Sequence, residues 1–315
     1  MHKKYFWRAL FFFVFSIAVS GVICSLIFYR HAPAERGEYT FANTKRRISH
    51  LRSVKIISPE SGEINLYRQD GVWRFKEAND YYVSNEMLAY FLLMLNDSTI
   101  YEAEKTNSVN SAESGLDSGT RVVLYDDGGK VTDDVIIGAP VSDSEYVWAG
   151  MGNNSQYVYK ISKAGSSVGR AENWMPYPLL SINFADVAGL NTAKGYLTRD
   201  DMQRLQQYSV TLQRFFDVLN LLDYQGITLH EDVEKLKNAE NHRSFEVIMK
   251  NGMIYSFEVF NIEASYWVLI NLSNEKIARI EAFQEVENNR KYYDGWAFNL
   301  DDEQGKVLFE LADYL

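Results

Sequence analysis

Ser244 to Leu272 reads SFEVIMKNGMIYSFEVFNIEASYWVLINL and holds three strand-like runs, Ser244 to Met249, Met253 to Phe260 and Tyr266 to Leu272. β-Branched and aromatic residues, which fit a pleated and half-buried surface, make up half or more of each. Lys250-Asn251-Gly252 separates the first two, and Asn-Gly between such runs marks an antiparallel hairpin. The stretch therefore predicts antiparallel sheet.

The same order of signals lies upstream. Arg121 to Tyr125 and Val131 to Ile137 flank Asp126-Asp127-Gly128-Gly129, a second hairpin, and Glu145 to Gly150 and Gln156 to Ile161 continue that sheet across an Asn153-Asn154 turn. Each hairpin is preceded by a helical pattern and a strand pair. Ser84 caps a helix to about Asn96, with Met87, Phe91, Met94 and Leu95 at helical spacing, after Ser53 to Ile57, Glu63 to Arg68 and Val72 to Lys76. Val210 to Asp223 carries Leu212, Phe215, Phe216, Leu219 and Leu222 on one helical face, after Asp186 to Leu190 and Lys194 to Arg199. Leu66-Tyr67-Arg68-Gln69-Asp70 aligns with Leu197-Thr198-Arg199-Asp200-Asp201. The expected fold is α+β, two related modules of mainly antiparallel sheet with covering helices, over residues 46–180 and 181–315.

Ahead of the modules, Ala9 to Tyr29 reads ALFFFVFSIAVSGVICSLIFY, 21 residues without a charge. As a helix it spans about 30 Å, the thickness of a bilayer's hydrocarbon core. Trp7 and Tyr29 stand at its ends, where amphipathic aromatics favour the interface. Apolar sequence continues past Ala18-Val19-Ser20, which suits an uncleaved anchor better than a signal peptide. Ile23 precedes Cys24 where a lipoprotein signal wants a small residue. Lys3, Lys4 and Arg8 favour a cytoplasmic N-terminus, so the expectation is a tail and transmembrane anchor over 1–29, a linker over 30–45, and an extracytoplasmic domain of a bacterial inner-membrane protein. Ser16, Ser20, Gly21 and Ser25 are small residues four apart, a spacing that admits a second membrane helix.

After residue 29 the chain has 29 basic and 42 acidic residues. That balance argues against nucleic acid, which needs clustered Lys and Arg, and against hugging an anionic lipid surface. Cys24 is the single cysteine, so no disulfide or thiolate metal site follows it. His2, His31, His50, His230 and His242 have no zinc spacing, and the acids at Asp126, Asp127, Asp133 and Asp134 and at Asp301, Asp302 and Glu303 lack the order of a calcium loop. No cofactor or metal is expected. Gly165-Ser166-Ser167-Val168-Gly169 matches a hydrolase elbow by letters, with His230 and His242 downstream, but Lys163-Ala164 separates it from the preceding strand and NWMPYP at 173–178 ends any helix after it. Trp73, Trp148, Trp174, Trp267 and Trp296 could line a glycan or peptide groove, although most such residues pack in cores.

Asp70-Gly71-Val72-Trp73-Arg74-Phe75, Glu113-Ser114-Gly115-Leu116-Asp117, Ile137-Gly138-Ala139, Tyr146-Val147-Trp148-Ala149, Val158-Tyr159-Lys160-Ile161 and the closing Gly295-Trp296-Ala297-Phe298 with Val307 to Leu315 together carry a resemblance. Over roughly residues 50 to 315 the chain resembles the bacterial domain-of-unknown-function family numbered 4340, with Ala78 where such chains often place proline. The resemblance implies a single-pass membrane-anchored protein, often encoded beside gliding-motility-type ABC transporter components, with no assigned catalytic residues. The expected function is a non-catalytic accessory or scaffold subunit whose partners are permease and ATPase subunits. The alternative is an independent glycan- or peptide-binding module, and a serine hydrolase is third.

Overall fold

The computed structural model describes residues 33–314, apart from 153, 163–165, 207–209, 236, 237, 239 and 277, together with residues 19 and 20. The expected anchor over 9–29 lies outside the described residues but for those two. Among the described residues no helix is long and apolar enough to cross a membrane.

The fold is mixed α+β with two antiparallel sheets. In the first half, strands β1 (Leu51–Ser58), β2 (Gly62–Gln69), β3 (Val72–Phe75), β4 (Tyr81–Tyr82), β5 (Ile100–Lys105), β6 (Thr120–Asp126), β7 (Val131–Pro140), β8 (Val147–Met151) and β9 (Asn154–Ile161) are joined by helices α1 (Ala42–Arg46), α2 (Asn85–Asp97) and α3 (Ser111–Ser114). The second half carries β10 (Val187–Thr192), β11 (Gly195–Thr198), α4 (Arg199–Gln206), α5 (Val210–Asn220), β12 (Gly226–Leu229), α6 (His230–Glu234), β13 (His242–Met249), β14 (Met253–Ile262), β15 (Ser265–Asn274), α7 (Ile280–Asn289), β16 (Trp296–Asn299) and α8 (Asp302–Tyr314). Two compact units result. Unit 1 takes the chain up to Asn65 and Ala89–Ala171, and unit 2 takes Leu66–Leu88 and Glu172–Leu315. The expected modules met at 180/181; residues 66–88 and 172–180, within the expected first module, belong to unit 2.

The first sheet runs β4-β3-β2-β1-β6-β7-β8-β9-β5 and the second β11-β10-β13-β14-β15-β16-β12; without β4 and β3 the first also has seven strands. Renumbered within each unit, these are one order. The central rungs coincide as well. Each first strand has a bulge one residue in, with Leu51 opposite Asp126 and Ser53 opposite Tyr125 in unit 1, and Val187 opposite Met249 and Gly189 opposite Ile248 in unit 2. Counting rung by rung from that bulge, Val135 and Phe257 fall at one position, Ala149 and Val268 at another, and Tyr159 and Phe298 at a third. All six are essentially inaccessible. Trp148 and Trp267 also coincide.

The aligned Leu66 and Leu197 fit the same scheme. The hairpin that carries Leu197 is shorter than the one that carries Leu66, with strands of six and four residues against eight and eight.

Residues 37–45, expected as linker, are folded into unit 1. The Gly37 amide donates to the Ile100 carbonyl (2.8 Å), Tyr39 bridges Thr99, the Thr40 amide donates to Ser98 (3.0 Å), and Phe41 is fully buried. A single large aromatic anchors a polar segment that shows no periodicity by itself. Thr44 is buried behind it, its amide held by Asp133 (2.7 Å) and its hydroxyl by that of Thr132 (2.6 Å).

Tyr81 explains why residues 66–88 group with unit 2. Its ring meets Trp296 and Phe298 edge-on, at 5.1 and 5.7 Å between centroids, and its hydroxyl donates to the Tyr292 carbonyl (2.7 Å). Tyr224 and Tyr293 pack on the same Phe298, donating to the carbonyls of Pro176 (2.8 Å) and Leu179 (3.1 Å). Edge-to-face rings satisfy their quadrupoles, and each buried hydroxyl has an acceptor, so the cluster is both dry and fully bonded. Burial first, then the neighbouring tyrosines, raises Tyr81 far above the ordinary tyrosine range; burial alone pushes Tyr293 up to about 12.

Candidate binding surfaces

Side chains alternate across a strand, so the dry face of each sheet has an opposite face whose use is open. In unit 2 the dry face carries Phe245 and Phe257, stacked at 4.7 Å, with Phe215 of α5 edge-on to Phe245 at 5.2 Å. The opposite face is divided. At one corner Val233 of α6 packs with Phe260, Leu269 and Ala297, and with the partly buried Ile262 and Trp267. Towards β10 the same face turns polar and forms an open trough of about 490 Å³.

Register builds the trough. Asn191, Glu246 and Ser256 share one rung across β10, β13 and β14, and Ser244 and Glu258 share the next across β13 and β14. Asn191 Nδ2 donates to Glu246 Oε2 (3.0 Å) and Ser256 Oγ to Glu246 Oε1 (3.2 Å). His242 Nε2 lies 3.0 Å from Glu258 Oε2. Two carboxylates flanked by amide, hydroxyl and imidazole groups can accept from and donate to a polar, hydroxyl-bearing or amide-bearing ligand. Thr192 and Ala193 close one end.

In unit 1 the corresponding face is covered differently. The segment from α3 to Gly119 lies on it, with Leu116 over Gly138 and Gly150. A Cβ on Gly138 would run into the Ser114 carbonyl. Around it sit ion pairs: Lys160 Nζ lies 2.8 Å from Glu102 and 2.6 Å from Glu104, and Arg121 grips Asp134 through two bonds of 2.8 and 2.6 Å. The hydrogen bonds to Glu102 and Glu104 raise the Lys160 ammonium, and that to Asp134 raises Arg121.

The hydrolase letters fall in a structural turn. Ser166–Gly169 forms a single 3₁₀ turn, followed by another at Ala171–Trp174, in place of the long helix an elbow needs. Val168 is buried, and a Cβ on Gly169 would meet Thr120 Oγ1 at 2.8 Å and Ser58 Oγ at 2.9 Å, so the second glycine serves close packing. Ser167 belongs to unit 1; His230, 3.2 Å from Glu234, and His242 belong to unit 2. Of the expected membrane-packing residues, Ser16, Gly21 and Ser25 lie outside the described residues, and Ser20 is an exposed position. Among the described residues no three His, Cys, Asp or Glu side chains are grouped to hold a metal ion.

Of the five tryptophans considered for a groove, Trp148 and Trp174 are core residues and Trp267 belongs to the apolar corner. The trough residues escape sequence reading because they come from three strands and meet only once the register is known. No family model, curated protein or solved structure matches the chain.

Proposed function

We propose that this chain is a membrane-anchored extracytoplasmic protein of two duplicated modules, acting by binding rather than catalysis, as an accessory or scaffold subunit of an ABC transport system. The observation that carries the reading is the docking of Gly37 onto Ile100. If the uncharged stretch 9–29 spans the membrane, only residues 30–36 separate it from folded protein, at most about 25 Å of chain. So short a tether holds the modules against the membrane, where a permease is within reach and weak contacts gain from high effective concentration. Small residues at 16, 20, 21 and 25 supply a packing face for a permease helix. The resemblance to the 4340 family supplies the transporter as partner.

The test is in-cell crosslinking followed by mild-detergent purification of the tagged full-length chain. Permease and ATPase subunits should come with it, and a chain lacking residues 1–29 should recover little of either. Protease added to spheroplasts should digest the modules. Recovery of the full-length protein alone, after efficient crosslinking, would reject the accessory reading.

The polar trough of unit 2 favours a second reading, an independent module for glycan or peptide. In that case Glu246→Gln should abolish binding to a glycan or peptide array while the transporter copurification is unchanged.

A further inference from the structure

Beside α1 in unit 1 lies a cleft of about 350 Å³ lined by Arg46, Arg47 and Lys130, with Asn43, Val131 and Thr132. Asp126 also lines it, but its Oδ1 accepts from the amides of Gly128 (3.0 Å) and Lys130 (2.9 Å) within its own turn. The other nearby carboxylates are engaged too. Asp127 pairs with His50 Nδ1 (2.9 Å), Asp133 accepts from Asn43 Nδ2 (3.1 Å) and the Thr44 amide, and Asp134 is held by Arg121. Among the described residues Arg46, Arg47 and Lys130 have no carboxylate partner. Three exposed cations thus converge on a cleft with one acid, and that acid is committed to its own turn.

Two apolar side chains flank these cations in the sequence, Ile48 at 40% and Val131 at 45% exposed. Cations alternating with exposed aliphatic tips suit the headgroup boundary of a bilayer, where the charge meets phosphate and the tip enters the acyl edge. The local charge agrees: residues 30–55 hold seven Lys and Arg against two Glu. The acidic balance of the whole chain opposes a lipid contact in general, but a Debye length of about 8 Å screens distant acids from this cleft. We infer that the Arg46–Arg47–Lys130 cleft docks unit 1 onto the phosphodiester headgroups of anionic lipid. The inference rests on the membrane-anchored reading, because the short tether after residue 29 is what holds α1 near the surface.

The experiment uses the full-length chain with Cys24→Ser and Val131→Cys, carrying a fluorophore at 131. It is reconstituted into vesicles of phosphatidylcholine alone or with phosphatidylglycerol, each containing headgroup spin-labelled lipid as quencher. Quenching should rise severalfold with phosphatidylglycerol. It should fall back in Arg46→Gln/Arg47→Gln/Lys130→Gln, in which binding weakens by roughly fivefold per cation, and should be unchanged in Lys250→Gln/Lys276→Gln. The three substituted side chains are exposed, and circular dichroism checks that the fold is kept. Inorganic phosphate should displace no better than chloride of equal ionic strength; selective displacement would assign the cleft to free phosphate and overturn the lipid assignment. Carbonate extraction separates the two failures. A chain that stays in the membrane yet quenches equally in both vesicles refutes the cleft alone, whereas a chain that is extracted refutes the anchored reading and the inference together.

Discussion

Seven strands of each sheet share one order and, through the central rungs, one register, yet the faces opposite their cores are finished in opposite ways. At the positions after Ile137 and after Ala149, unit 1 has Gly138 and Gly150, and a connecting segment lies directly on the bare backbone. After Val259 and Val268, unit 2 has Phe260 and Leu269, and Val233 meets side chains instead. In both, the connection between the third and fourth strands does the covering. The difference teaches that the backbone scheme tolerates either solution, so the scheme is set by the hairpins and the core face, and the covering segment is free to diverge. Unit 2 keeps a polar trough on that face.

The largest effect is expected where unit 2 is most concentrated. Phe298 is fully buried, and Tyr81, Tyr224 and Tyr293 all pack on it. Phe298→Ala should cost about 3–5 kcal/mol in denaturant unfolding and release residues 66–88, seen as new protease cleavage there. Equal loosening of unit 1 would break the comparison, since the cluster lies within unit 2. Alkaline pH attacks the same cluster. Folded tyrosines with raised values stay protonated while unfolded ones ionise near pH 10, so their stabilisation is complete below pH 10 and declines above it, for Tyr293 up to about pH 12. Each buried tyrosine should cost about 1.4 kcal/mol per pH unit in that window. Tyrosinate absorbance should lag for a class of tyrosines and then appear with unfolding; in Tyr293→Phe the slope of stability against pH should be shallower.

A smaller effect should separate the two covering segments. Gly138→Ala would push a methyl into the Ser114 carbonyl and lift residues 111–119, costing about 1–3 kcal/mol and speeding their amide exchange. Unchanged exchange in 111–119 would show that the segment is not held by contact with the bare backbone.

Hairpins with Asn-Gly, Asp-Gly or Gly-Gly turns were legible because those turns demand residues that accept positive φ, and helices α2 and α5 because their apolar residues repeat at helical spacing. β5, β12 and β16 were not. Ile100 to Lys105 places two glutamates on a short sheet edge, and Gly226 to Leu229 and Trp296 to Asn299 span four residues each. Residues 37–45 read as linker because one buried Phe41 leaves no period. The trough of unit 2 and the cleft of unit 1 depend on residues far apart in sequence, such as Arg46 and Lys130, whose meeting is a property of strand pairing.

The turn between β14 and β15 is the clearest conflict between sequence and backbone, and it yields the smallest expected effect. Ile262 pairs with Ser265, so the loop is the two residues Glu263 and Ala264, at φ of 52° and 65°. Unit 1 bridges the corresponding strands with Val141 to Tyr146, a longer loop in which only Asp143 among the non-glycine residues has positive φ. A two-residue hairpin with both residues left-handed normally has Asn-Gly, since a side chain with a Cβ crowds the carbonyl there. Unit 2 therefore carries local strain that unit 1 avoids by length. Ala264→Gly removes the Cβ penalty but adds freedom to the unfolded chain, and the first term is the larger at positive φ. The substitution should raise stability by about 1 kcal/mol, and Val141→Gly, outside such a turn, should not. Destabilisation by Ala264→Gly would mean that the Ala264 methyl makes contacts worth more than the strain, and the short hairpin would then be a packed feature of unit 2 rather than a tolerated one.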